Sequence, residues 1–224
     1  MMSERTGKIT GPHQEQPMQS AGEPLDRASA AMVMIHGRGA TAEDILELAA
    51  EFKQSGFAYL APQAAQHSWY PNSFLAPMSS NEPGLSSGLA VIAVLLEQLA
   101  DAGIPTERTI LLGFSQGACL ALEFAARNAR RYGGLVGLSG GLIGPAGTPR
   151  NYGGSLEGTP VFLGCSDSDF HIPRERVEQS AEVLQQLGGN VTAKLYSRMG
   201  HTVNRDEIRA VQGMMVDVKA SKST

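Results

Sequence analysis

Residues 108–127 read Arg-Thr-Ile-Leu-Leu-Gly-Phe-Ser-Gln-Gly-Ala-Cys-Leu-Ala-Leu-Glu-Phe-Ala-Ala-Arg, an apolar run that breaks at a Gly-x-Ser-x-Gly turn and resumes as an alanine-rich helix. A strand, a sharp turn and a helix in immediate succession constrain the fold more than any other stretch, because such a unit packs into a parallel sheet covered by helices. The same unit lifts the hydroxyl of Ser115 above the end of its strand, where a serine can act as a nucleophile.

The bare pattern is weak evidence, since 26 glycines lie among the 224 residues and the pattern occurs three times. At 84–88 it follows Asn81, Glu82 and Pro83 with no strand before it, so Ser86 or Ser87 reads as a helix N-cap. At 137–141 it follows a strand-like run but leads into Leu142-Ile143-Gly144-Pro145, where no helix can start. Only Ser115 has a strand before it and a helix behind it.

Short apolar runs alternate with amphipathic segments along the rest of the chain. Residues 32–35 are continuously apolar, as expected of a strand buried on both faces, and end in His36-Gly37-Arg38-Gly39. Thr41 with Asp44 predicts a capped helix carrying Ile45, Leu48, Ala49 and Phe52 on one face. Further strands are read at 57–61, 109–112, 135–138, 161–164 and 191–196. Further helices are read around Leu89 to Leu99, after Pro173, and after Asn204, whose partner Glu207 completes another cap. The alternation predicts an α/β fold with a mostly parallel central sheet and helices on both faces. Residues 1–29 are read apart from it, as a polar tail to about Gly11 and then an edge hairpin, and residues 30–224 as the catalytic domain. The long loop 62–83, with Trp69, Tyr70, Pro71, Phe74 and Leu75, is long enough to expect a substrate-facing role.

In parallel sheets ligands bind beyond the carboxyl ends of the strands. His36, Ser115, Asp167, Asp169 and His201 all fall just after predicted strands. A serine hydroxyl needs a base to take its proton during attack, and the base needs a third group to fix its tautomer. One recurring chain order for such a triad behind a strand-turn-helix serine is serine, carboxylate, histidine. Ser115, then Asp167 or Asp169, then His201 obey it, with His201 in a glycine-preceded loop between the last strand and a capped helix. His36 is expected to brace the Gly-Arg-Gly turn, while His13, His67 and His171 stand in the wrong order or too near the aspartates. For the oxyanion, the expected donors are the Gln116 N–H, at the start of the helix, and the Arg38 N–H in the loop after the first core strand. No pair of residues has the helix-face spacing of a metal site, and neither metal nor cofactor is expected.

These residues closely resemble the phospholipase/carboxylesterase family of α/β-hydrolases, which includes the acyl-protein thioesterases, over about residues 30–218. The likeness rests on His36-Gly37-Arg38-Gly39, Gly113-Phe114-Ser115-Gln116-Gly117, Asp169-Phe170-His171-Ile172-Pro173 and Gly200-His201-Thr202. It implies an α/β-hydrolase fold without a separate cap domain and a serine carboxylesterase acting on small or medium acyl chains. The family's acidic residue follows the strand's glycine by three positions and precedes a proline by four. Here Asp167 meets the first rule and Asp169 the second. Asp169 is expected, because Ile172-Pro173 fixes the start of the next helix. Trp69 and Tyr70 are expected to wall the substrate pocket, with Leu142 closing its other side.

The reaction expected is hydrolysis of a small-molecule carboxylic ester through an acyl-serine intermediate. A thioester is chemically close. A dienelactone-hydrolase-like activity on cyclic esters is the runner-up, although those relatives carry cysteine where this chain has Ser115. A non-catalytic ligand-binding module would have no need of a serine, a carboxylate and a histidine in this order. The net charge of −4 and the absence of a Lys/Arg cluster argue against nucleic acid as a partner. The longest apolar run, 89–96, is too short to span a bilayer, and the N-terminus lacks a signal peptide's apolar centre. Cytoplasmic location without stable membrane insertion is expected, with Cys119 and Cys165 as buried thiols. Monomer and homodimer are both compatible with the chain.

Overall fold

The computed structural model describes residues 11–52 and 54–220, so nearly all of the tail read at the N-terminus lies outside the described residues. Seven strands form one sheet: β1 (Met18–Gly22), β2 (Ala30–Ile35), β3 (Phe57–Pro62), β4 (Thr109–Phe114), β5 (Gly134–Leu138), β6 (Pro160–Ser166) and β7 (Asn190–Tyr196). Their order is β1-β3-β2-β4-β5-β6-β7. Only β1 is antiparallel to its neighbour, with Met18 opposite Pro62 and Gly22 opposite Ala58. The remaining pairs are parallel.

The sequence suggested a hairpin set apart from the domain, but residues 18–22 are an edge strand of the main sheet. The cause lies just upstream. The buried His13 ring accepts the Ala65 N–H at 3.0 Å through Nδ1, and its Nε2 lies 2.9 Å from the Trp69 carbonyl oxygen. That pins the incoming chain beside β3.

Helices α1 (Ala42–Phe52), α2 (Gly84–Asp101), α3 (Gln116–Arg127), α4 (Arg174–Gln186) and α5 (Arg205–Ala220) cover both faces. The strands sort their side chains with a period of two. Ala31, Val33, Ile35, Leu111, Leu135 and Leu163 join the core under α2, α3 and α4. Met32, Met34, Ile110, Leu112, Val136 and Phe162 join the core under α1 and α5. With both faces buried, β2 and β4 read as unbroken apolar runs in the sequence. Helix α2 extends the run at 89–96 in both directions and is long and apolar enough, by length and composition alone, to cross a membrane. In this fold Leu85, Ile92 and Leu99 are wholly buried against the sheet.

The caps show how local chemistry sets the helix starts. The Asp44 N–H donates to Thr41 Oγ1 at 3.1 Å and the Thr41 N–H to Asp44 Oδ2 at 2.7 Å, a reciprocal capping box. Asn204 and Glu207 repeat the device at α5. At α2 the expectation is corrected: the helix begins at Gly84, so Ser86 and Ser87 sit inside its first turn. The Glu82 carboxylate accepts the Ser86 N–H there at 3.0 Å, while the Ser87 hydroxyl donates to Gln14 Oε1 and accepts the His13 N–H.

Glu207 has a second consequence. Its side chain is buried, one oxygen accepts the Asn204 N–H at 2.7 Å, and among the described residues the other, beside Gly164, has no hydrogen-bond partner. Burial raises its pKa from 4.5 to about 7. The folded chain therefore holds a proton that the unfolded chain has already lost between those values. The associated stability is complete below about 4.5 and is lost as pH rises through 7. Glu207→Gln stays neutral and can still accept from Asn204, so its stability relative to wild type should be roughly 3 kcal/mol more favourable at pH 8 than at pH 4.5. Urea unfolding of both proteins at the two pH values checks this; a pH-independent difference would rule it out.

Candidate active site

Ser115 stands between β4 and α3 with φ 54° and ψ −118°, a conformation that costs a non-glycine residue about 1–3 kcal/mol. The neighbouring glycines make this turn possible. A Cβ on Gly117 would run into the carbonyls of Ile35 and His36, and one on Gly113 into the backbone of Gly117. The turn is therefore tight enough to bring the helix start against β2. The Ser115 N–H donates to the Leu138 carbonyl at 2.9 Å and its carbonyl accepts the Cys119 N–H at 3.1 Å. The copy at 137–141 also has its serine at positive φ, 52°, but Ser139 is wholly buried.

His201 arrives from the loop between β7 and α5. Its Nε2 lies 2.9 Å from Ser115 Oγ and its Nδ1 lies 2.7 Å from Asp169 Oδ2. The Asp169 carboxylate is buried. Its Oδ1 accepts the N–H groups of His171 and Ile172 at 2.8 and 3.1 Å, and the Cys165 thiol lies 3.7 Å from Oδ2. Burial pushes this carboxyl up, but the hydrogen bonds from His201 and the two backbone N–H groups outweigh it and hold Asp169 below the ordinary range. Asp167 is exposed, and its Oδ1 accepts the Arg198 N–H at 3.2 Å. Of the two aspartates, Asp169 is the one joined to His201.

Arg38 and Gln116 flank Ser115, and among the described residues neither backbone N–H has an acceptor. Their side chains grip one short stretch of the long loop. The Arg38 guanidinium donates to Ser68 Oγ and to the carbonyls of Tyr70, Pro71 and Asn72 at 2.7–3.0 Å. It also lies 5.9 Å from the centre of the Tyr70 ring. The Gln116 amide accepts the Trp69 N–H at 2.9 Å and donates to the Tyr70 carbonyl at 2.8 Å. Residues 68–72 are thus fastened to two residues that line the same cleft as Ser115. Arg38→Ala should speed amide exchange across 68–72 and lower kcat/KM about tenfold. Arg38→Lys should not restore either, because one ammonium cannot match a fork spread over four acceptors. Unchanged exchange would reject the clamp.

A cleft of about 470 Å³ opens over Ser115 and His201, lined by Arg38, Tyr70, Phe74, Gln116 and Ile172 among others. Two expectations are corrected. Trp69 does not line this cleft: it is wholly buried behind it, its indole N–H donating to the His36 carbonyl at 2.9 Å and its ring set between His13 and His36. Leu142 is likewise a core residue, its main chain held by Ser180 and Arg176. Tyr70 is also buried in the core, but unlike Trp69 it borders the cleft.

The geometry agrees with the comparisons to known proteins. The phospholipase/carboxylesterase profile matches residues 18–216. The chain belongs to the phospholipase/carboxylesterase family. The crystal structure of a phospholipase/carboxylesterase from Dyadobacter fermentans DSM 18053 superposes with a TM-score of 0.88 at 41% identity, covering 93% of this chain and 99% of that one. An acyl-protein thioesterase 1 of Gibberella zeae is 33% identical over 130 residues, 54% of this chain and 52% of that protein, so the match spans about half of the relative. A second, of Yarrowia lipolytica, is 24% identical over 80% of this chain and 88% of its own. The α/β-hydrolase fold and a serine ester hydrolase of the esterase/thioesterase class agree with these relatives, and among the described residues no separate cap domain covers the cleft.

Within this family member the remaining histidines separate cleanly. His36 is buried, with Nε2 accepting the Ala64 N–H at 3.0 Å and Nδ1 lying 2.8 Å from the Gly37 carbonyl oxygen, so it braces the turn before Arg38. His67 Nδ1 lies 3.1 Å from the Ala40 carbonyl oxygen. His171, set aside on sequence because it adjoins the aspartates, lies edge-on to His201 with ring centres 4.9 Å apart and lines the cleft. Phe114 packs on His201 from another side at 5.0 Å. Its place directly before the serine was the available signal. Both thiols are buried, and burial pushes Cys119 and Cys165 up to about 12, which keeps them protonated at neutral pH.

Proposed function

We propose that this protein is a serine carboxylesterase that hydrolyses small to medium acyl esters through an acyl-serine intermediate. The observation that carries the reading is the continuous line from Ser115 Oγ to His201 at 2.9 Å and on to Asp169 at 2.7 Å, at the floor of an open cleft. In this reading His201 Nε2 takes the Ser115 proton as Oγ attacks the carbonyl carbon. Asp169 holds the imidazole with its proton on Nδ1 and stabilises the imidazolium. The oxygen that becomes negative faces the N–H groups of Arg38 and Gln116, the latter at the positive end of α3. Losing such a donor costs about 3 kcal/mol in the transition state. The imidazolium then protonates the leaving group, and a water activated by the same histidine releases the acid.

The relatives named acyl-protein thioesterase 1 support thioesters as a second substrate class, since sulfur in place of the leaving oxygen asks nothing further of these residues. A serine nucleophile counts against the dienelactone-hydrolase-like alternative. Two buried free thiols fit a reducing, cytoplasmic setting, with the protein working there as a monomer or homodimer on a small-molecule ester. The decisive experiment combines p-nitrophenyl esters of graded chain length with a serine-directed phosphonate. Turnover with a short or medium chain optimum is expected, and one phosphonate per chain on the peptide that carries Ser115. Absence of turnover together with absence of label would reject the enzyme reading.

A further inference from the structure

A second groove, of about 480 Å³, meets the cleft at Gly37, Ala40, Phe114 and His201. It runs over α1 and is lined by Ile45, Leu48, Phe114 and Val203, with Asp44 and Thr202 among its polar residues. It shares His201 with the cleft but is not lined by Ser115, Arg38 or Gln116.

The chemistry of acyl transfer makes that asymmetry informative. When Ser115 Oγ bonds to the carbonyl carbon, the carbon carries the oxyanion, the acyl chain and the leaving atom. The oxyanion belongs beside the Arg38 and Gln116 N–H groups. As the carbon–leaving-atom bond breaks, its electron pair goes to the leaving atom, which takes the proton from His201 Nε2. The leaving group must therefore depart past His201, and the acyl chain must extend to the other side.

Resting on the serine-hydrolase reading above, we propose that the groove over α1 receives the leaving group of the substrate, an apolar alcohol or thiol without negative charge. The acyl chain then lies in the cleft beside Tyr70 and Phe74. The walls contributed by Ile45, Leu48, Phe114 and Val203 suit an alkyl or aryl group. The Asp44 carboxylate, exposed at the groove and bonded to the Thr41 N–H, opposes an anionic one.

Leu48 is half-buried and stands outside the catalytic residues, so it can be changed in both directions. Two ester series separate the limbs: butyrate esters of methyl, butyl and octyl alcohols, and methyl esters of acetic, butyric and octanoic acids. Leu48→Trp, which fills the groove, should lower kcat/KM for octyl butyrate about tenfold relative to methyl butyrate. Leu48→Ala should raise the same ratio. Neither should alter the ratio of methyl octanoate to methyl butyrate. Discrimination that follows acyl length, or falls equally on both series, would overturn the assignment while leaving esterase activity intact. Absence of methyl butyrate hydrolysis by wild type, with no phosphonate on Ser115, would instead remove the catalytic reading on which the inference rests.

Discussion

Ser115→Ala is expected to lower kcat on p-nitrophenyl esters by roughly 10⁴- to 10⁶-fold. Among the described residues Ser115 Oγ is the hydroxyl within hydrogen-bonding distance of His201 Nε2. Both thiols are buried, with pKa values pushed up to about 12, and Ser139 is wholly buried. The residual rate would come from the cleft and the Arg38 and Gln116 N–H groups, which remain when the hydroxyl is removed. The fold should survive, because the backbone bonds from the Ser115 N–H to Leu138 and from the Cys119 N–H to the Ser115 carbonyl do not involve the side chain. Retention of more than about a hundredth of the wild-type kcat in a folded variant would show that the chemistry lies elsewhere.

Asp169→Asn should cost about 10⁴-fold in kcat, and the hydrogen bonds around Asp169 indicate why. Oδ1 accepts two backbone N–H groups, from His171 and Ile172, so an asparagine must put its carbonyl oxygen there. Its NH₂ would then face His201 Nδ1. That nitrogen would have to accept, the ring proton would move to Nε2, and the histidine would point a donor at Ser115 in place of a base. Asp167→Asn should remain within about twofold of wild type, since Asp167 is exposed and the Arg198 N–H that it accepts can also be accepted by an amide oxygen. Equal activity in the two variants would remove Asp169 from the mechanism. The comparison needs no substrate beyond the chromogenic ester and reads a difference of several orders of magnitude.

The features legible in the sequence are those whose cause is local. A run of apolar residues bounded by glycine specifies a buried strand, and β2, β3, β4, β5 and β6 lie where such runs occur. Thr41 with Asp44 and Asn204 with Glu207 start their helices through bonds spanning three residues. Choosing Ser115 among three Gly-x-Ser-x-Gly copies required only the strand before it and the helix after it. Ser86 and Ser87 lie inside α2 and do not cap it. Glu82, just upstream, accepts the Ser86 N–H, and Ser87 is drawn to the N-terminal segment, a contact across 73 residues.

What the tertiary structure alone decided concerns side chains in irregular backbone, where direction depends on partners brought from far along the chain. Asp167 and Asp169 differ by two positions, yet one is turned to solvent beside Arg198 and the other is buried against His201. Trp69 lies behind the cleft and Tyr70 borders it because Gln116 and Arg38 hold their backbone while the His36 carbonyl accepts the Trp69 indole N–H. The sequence by itself determined strands β2 to β7, their flanking helices and the place of the serine turn, since helix capping and apolar periodicity act over a few residues. Only the fold decided which carboxylate reaches His201, which aromatic residue meets the cleft, and that the cleft continues into a groove over α1, because each is set by the convergence of segments distant in the chain.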